Sequence, residues 1–377
     1  MFRDLNFKEF LLGKTLPTSA HADERLSNST ALAVLSSDAL SSVAYATEEI
    51  LLILVLAGSG ALGYSMPIAF FIILLLTAVT LSYRQTIKAY PHGGGAYTVA
   101  HENLGVYPGL IAGASLMIDY TLTVTVSIAA GTAALTSAVP VLQPFTVGLC
   151  LIFTFLLMLA NLRGVKESGN LFMVPTYAFI VSILVLIVWG LIKSLTGINV
   201  PNYPSIPIQQ TLIGPFFLMK AFSAGCTALT GVEAISNGVL AFKAPEWKNA
   251  RITLIWMSTI LGIMFLGITY LSQTYHIVPH EGETVLSLLG RQIFGTGPIY
   301  YFLQIATLFI LILAANTSYA DFPRLSSLLA RDGYLPRQLA LLGERLVYSN
   351  GIILLSICAS ILTIIFKGDV SAIIPCF

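Results

Sequence analysis

Long apolar stretches alternate with short polar connections along the whole chain. Stretches long enough to cross a bilayer run over about 31–57, 66–90, 106–136, 144–162, 171–195, 213–242, 252–273, 293–320 and 351–366, and another begins near 370. A helix needs about 20 apolar residues to cross the hydrocarbon layer. The pattern therefore predicts about nine full spans and the start of a tenth. Several stretches exceed that length, which predicts tilt or interruption. Residues 1–28 are polar and mixed in charge, with no apolar run ahead of a small-residue cleavage site. They are expected as an arm before a transmembrane domain over 29–377, not as a signal peptide.

Charge adds an orientation. The arm carries Arg3, Lys8, Lys14 and Arg25, and alternate connections carry Arg84 and Lys88, Arg163 and Lys166, the group Lys243, Lys248 and Arg251, and finally Arg324, Arg331, Arg337 and Arg345. These are 15 of the 19 basic residues, all on one side of the predicted array. Lys193, Arg291 and Lys367 fall on the other side, and Lys220 lies inside a span. The positive-inside rule then makes the N-terminus cytoplasmic.

Composition agrees with lipid as the solvent. Hydrophobic residues make up 56% of the chain and charged residues 10%, against roughly 25% charged in a soluble domain. A net charge of +1 leaves no basic excess for a nucleic-acid partner. Cys150, Cys226, Cys358 and Cys376 lie within or beside apolar stretches and read as small core residues, not a disulfide framework. His21, His92, His101, His276 and His280 show no metal-ligand spacing such as H-E-x-x-H, so a metal-dependent enzyme is poorly supported. The expected partner is the bilayer, and no enzymatic activity is expected.

A faint internal repeat bears on the fold, with a chance match among the abundant Ala, Leu, Ser and Val as the open alternative. Ala39-Leu40-Ser41-Ser42-Val43 lies in mid-span one and Ala228-Leu229-Thr230-Gly231-Val232 in mid-span six. The two spans run in opposite directions. The expected class is an all-α integral membrane protein with an inverted repeat of five plus five helices, helices one and six being discontinuous. The run Ser36-Ser37-Asp38-Ala39-Leu40-Ser41-Ser42 is a poor helix interior, because short polar side chains offer the backbone other partners. Ser223-Ala224-Gly225-Cys226-Thr227 is the counterpart in span six.

Carboxylates at membrane depth are costly and usually functional. Asp38 lies in the first span, Asp119 in the third and Glu233 just past the small-residue run of the sixth. With Tyr45, Thr123, Ser127 and Thr230 they supply oxygens from three helices. Asp119, Thr123 and Ser127 are four apart and share one helix face. Such oxygens suit a hard monovalent cation whose lost hydration they replace. A buried Asp119–Lys220 pair, a neutral hydrogen-bonded Glu233, and Thr123 and Ser127 as helix-packing residues stay open as structural readings. Glu48 and Glu49 lie nearer the outside, without an assigned role. Tyr90-Pro91-His92-Gly93-Gly94-Gly95-Ala96-Tyr97 lacks the preceding strand and following Lys-Ser/Thr of a phosphate cradle. It reads as a cytoplasmic hinge at Gly93, Gly94 and Gly95.

Pro-x-Gly-Gly-Gly-x-Tyr after the second span resembles the hallmark of the amino acid–polyamine–organocation transporter superfamily. Leu35-Ser-Ser-Asp38-Ala-Leu-Ser-Ser-Val-Ala-Tyr45, Ile118-Asp119-Tyr120, Leu229-Thr-Gly-Val-Glu233-Ala-Ile-Ser-Asn237 and Ala314-Ala-Asn-Thr317 resemble the KimA-type bacterial potassium uptake transporters within it. The resemblance implies a leucine-transporter-like fold and potassium import coupled to protons by alternating access in a bacterial plasma membrane. Potassium and the proton would be transported species, with no resident cofactor. It implies Asp38, Tyr45, Asp119, Thr123, Ser127 and Thr230 as potassium ligands, Glu233 as the proton-coupling candidate, and a homodimer. Family members continue through helix ten, two more helices and a cytosolic domain, whereas this chain stops at Ile373-Ile-Pro-Cys376-Phe377, with Phe377 where the family tends to place a tyrosine. The second repeat is thus expected to be incomplete, with no C-terminal soluble domain. An amino acid or organic amine permease of the same fold, and a non-transporting membrane protein, are the rival readings.

Overall fold

Serine hydroxyls, not proline, break the first span. The computed structural model describes residues 25–91, 95–163, 169–196, 214–279, 282–343 and 347–376. Span one is α1 (Asn28–Leu35), α2 (Ser37–Ser41), a 3-10 turn over Ser42–Ala44 and α3 (Ala46–Leu56). Ser41 Oγ donates to the Asp38 carbonyl at 2.8 Å and Ser42 Oγ to the Ala39 carbonyl at 2.7 Å. Each hydroxyl competes with the helical ladder for its acceptor. Ser27 caps α1, its Oγ accepting from Thr30 N–H at 3.3 Å. The arm expected over 1–28 is described only from residue 25. Leu26 there pairs with the inner end of span six, Leu26 N–H donating to the Ala241 carbonyl at 2.7 Å, and Arg25 forms an ion pair with Glu246.

The second to fifth stretches are α4 (Ser65–Ala89), α6 (Val106–Ala138), α7 (Thr146–Leu162) and α8 (Gly169–Thr196), with α5 (Gly95–Leu104) between the first two of these. Span six is α9 (Pro215–Gly225), a 3-10 segment over Cys226–Leu229, an extended Thr230, and α10 (Ala234–Asn237). Then follow α11 (Glu246–Thr274), the short α12 (Val285–Phe294), α13 (Pro298–Arg331), α14 (Ser349–Ile365) and α15 (Val370–Ile373). The helices α6 and α13 pack along each other, Gly131 bringing α6 against Leu308 and Leu311 of α13. Small residues at such crossings let backbones approach where lipid supplies no hydrophobic drive. Phe71, Phe155, Trp256 and Ile263 stay exposed on the outer surface, as lipid-facing side chains do.

Seven helices among the described residues are long and apolar enough to cross a membrane, or eight if α14 and the segment Val370–Cys376, bent by 108°, form one broken span. This is a multi-pass, all-α membrane protein. The break explains why the sixth stretch is not among the seven: neither half alone is long enough. Two limits differ from the sequence expectation. The stretch expected over 293–320 divides at Gly295 and Gly297 into α12, whose apolar residues lie on one face, and α13, which continues to Arg331. The expected hinge at the glycine triplet is helical from Gly95, while Gly93 and Gly94 lie outside the described residues.

Candidate functional site

The two broken helices meet at the centre of the bundle. Ser42 Oγ donates to the Ala228 carbonyl at 3.3 Å. Gly231 has φ +74°, and a Cβ there would lie 2.6 Å from Asp38 Oδ2 and 2.8 Å from Ala39 N. Both the left-handed backbone and this approach require glycine. Tyr45 follows directly on the 3-10 turn Ser42–Ala44 at the break of span one and is 4% exposed.

Asp38 is 6% exposed and its Oδ1 has no hydrogen-bond partner. Along α6, Thr121, Thr125 and Thr132 donate to the carbonyl four residues back at 2.8–2.9 Å. Thr123 and Ser127 do not: both hydroxyls are buried without a partner. A buried polar atom left unpaired costs about 1–3 kcal/mol, so an orphaned oxygen on a helix whose opposite face back-bonds its hydroxyls calls for a ligand. Ser36 and Ser318 hold orphaned hydroxyls too.

A cavity of about 900 Å³ runs beside this junction, lined by Asp119, Thr230 and Glu233 together with Tyr83, Thr227 and Lys220. Asp38 is close enough to feel the charges of Glu233, Asp119 and Asp321. The structure thus joins Asp119, Thr230 and Glu233 in one cavity wall, sets Asp38 and Tyr45 against the opposing break, and leaves Thr123 and Ser127 buried farther along the Asp119 face. Among the described residues the ion pairs are Arg25–Glu246 and Arg291–Glu283; Asp119 and Lys220 share a cavity wall without forming one. Thr317 donates to the Ala314 carbonyl at 2.7 Å, a local bond within α13.

Asp321 escaped the sequence reading because the eighth stretch was ended at residue 320. A usable signal was present: a carboxylate three residues after Ser318, on one face of a helix that continues to Arg331. The glycine motif is also tied to the site. Gly95 has φ +53° and would bring a Cβ within 3.2 Å of Asn237 Oδ1, and Asn237 Nδ2 donates to the Tyr120 hydroxyl at 3.2 Å.

Residues 26–375 match the amino acid permease family. The chain belongs to that family. Among curated amino acid permease relatives, it is 49% identical over 374 residues to the potassium transporter KimA of Bacillus subtilis (strain 168), covering 99% of this chain. It is 22% identical over 290 residues, 74% of the chain, to the low-affinity putrescine importer PlaP of Escherichia coli (strain K12). The chain spans 62% of the length of each of these relatives. The broken first and sixth helices of this amino acid permease-type bundle bring carboxylate and hydroxyl oxygens to their junction.

Proposed function

We propose that this chain forms the transport domain of a secondary carrier that imports potassium across a bacterial plasma membrane by alternating access, its N-terminus cytoplasmic. Asp38, Tyr45, Asp119, Thr123, Ser127 and Thr230 hold the ion, and Glu233 couples its movement to protons. The observation that carries this reading is the pair Thr123 and Ser127, whose buried hydroxyls have no partner while their neighbours on α6 bond back to the helix. Potassium leaves its hydration shell at such a site, and neutral and charged oxygens replace the lost water. The 49% identity to a potassium transporter supports the choice of cargo. An organic amine is the second reading, favoured by the likeness to a putrescine importer and by carboxylates that would also attract an ammonium group.

The test is growth at limiting potassium of cells that lack other uptake systems and carry the whole gene. Wild type restores growth and Asp38→Asn abolishes it. Rescue that survives Asp38→Asn removes the site, and rubidium uptake blocked by equimolar putrescine favours the amine.

A further inference from the structure

Glu48 and Glu49 are adjacent in sequence but about 100° apart around α3, and they face two different spaces. Glu49, 4% exposed, lines the large cavity and accepts from Ser371 Oγ at 3.3 Å. Glu48 lines a second cavity of about 20 Å³, shared with Tyr45, Thr284, Thr307 and the alanines of α6. A space of that size holds one water molecule or one ion of similar radius. Resting on the transport reading above, we propose that this small cavity is an outer site for a single dehydrated monovalent cation, from which the ion passes Tyr45 to the Asp38 site.

The donors fit. Glu48 Oε2 accepts from Val285 N–H at 2.9 Å at the start of α12, which fixes the carboxylate and leaves Oε1 for another partner. Thr307 Oγ1 spends its hydrogen on the Leu303 carbonyl at 2.8 Å, so its lone pairs remain to face a cation. Thr284 Oγ1 accepts from Ser287 N–H at 3.2 Å. One turn before Thr307 on the same face of α13, Gln304 is 2% exposed and neither end of its amide has a partner. The charge balance points the same way. Asp369 adds its negative charge at Glu48. Arg291, the cation of α12, is engaged by Glu283 at 3.1 Å and by the Ser137 carbonyl at 2.8 Å. Tyr45 stands between the two places: it borders the small cavity, and it lies three residues after Ser42, whose hydroxyl reaches the Ala228 carbonyl at the central junction. An ion leaving Glu48 therefore has to move past this one side chain to reach Asp38.

The experiment is initial-rate uptake of radioactive rubidium against external rubidium concentration, in cells carrying the whole gene as wild type, Glu48→Gln, Thr307→Val or Asp38→Asn. Glutamine keeps a carbonyl acceptor for Val285 N–H, so the start of α12 stays capped while the charge is lost. Removing one ligand carboxylate raises the half-saturating concentration roughly tenfold, with a smaller loss in the rate at saturation. Thr307→Val, which removes one oxygen and leaves the cap alone, raises it about threefold. Unchanged half-saturation in both variants overturns the outer site, as does a loss confined to the saturating rate. If Glu48→Gln fails to reach the membrane, Thr307→Val decides alone. No rubidium uptake by wild type, or full uptake by Asp38→Asn, strikes the transport reading instead.

Discussion

Gly231 concentrates at one Cα two demands usually found apart. Its backbone is left-handed at φ +74°, and its Cα sits where any Cβ would press on Asp38 Oδ2 at 2.6 Å and on the backbone of Ala39. Turning the Asp38 carboxylate away would not relieve the overlap, because Asp38 Cβ and Ala39 N both lie 2.8 Å from the added Cβ and move only with the backbone. Gly231→Ala is expected to lower stability by about 1–3 kcal/mol and to abolish rubidium uptake, because relief requires moving Asp38 or prising the two breaks apart. Gly148→Ala is the control: it lies in α7 with nothing within 4 Å of the added methyl, and alanine favours a helix interior by up to about 1 kcal/mol over glycine. Thermal melting of the purified variants checks both, and a Gly231→Ala protein that melts and transports like wild type refutes the close approach.

Among the elements, α5 is tied to α13 by a hydrogen bond and lies close against span six. Tyr97, 3% exposed, donates from its hydroxyl to Asp332 Oδ2 at 2.6 Å at the end of α13, while Gly95 abuts Asn237 of span six. Burial first, and then the Asp332 carboxylate, push the Tyr97 phenol above its ordinary value, so it remains a donor through neutral and alkaline pH. Tyr97→Phe removes a bond to a charged acceptor and is expected to cost about 1–2 kcal/mol locally. Hydrogen exchange over α5 then speeds up by roughly five- to thirtyfold, without change in the core of α6; unchanged exchange would show that the bond carries no weight. This element also marks how far the sequence could be read. The spans were legible because apolar runs of such length have few other solvents, and the breaks because Ser36–Ser42 and Ser223–Thr227 offer competing hydrogen bonds in mid-span. The helix Gly95–Leu104 was not: its mixed composition carries no span signal, and tertiary contacts with Asp332 and Asn237 hold it. Likewise α12 was merged with α13, since the apolar residues of a short amphipathic helix run on into those of the next span. Asp38, Asp119 and Glu233 stood out as charges among apolar neighbours, whereas Asp321, three residues before Arg324, looked like the end of a stretch.

At the scale of the whole molecule, coupling requires that loading one species alter the cost of moving the other. Glu233 lies just past the left-handed turn of span six, lines the cavity with Asp119, and its charge reaches Asp38. On the proposed symport, a potassium ion would offset one of these three charges and a proton on Glu233 another, and the break between α9 and α10 would rearrange with less repulsion across the junction. Under symport, a tenfold rise in external proton concentration adds about 1.4 kcal/mol of inward drive per proton carried. Uptake by wild type is therefore expected to rise as external pH falls. Glu233→Gln holds the side chain in its neutral form at every pH: potassium then moves without a proton step at this residue, and uptake loses its dependence on external pH while Asp38 still binds the ion. Rubidium uptake by reconstituted vesicles, with external pH stepped at constant membrane potential, separates the outcomes. A Glu233→Gln protein whose uptake responds to pH as steeply as wild type would place the coupling proton on another carboxylate, Asp321 foremost, because it too acts on Asp38 from the inner half of α13.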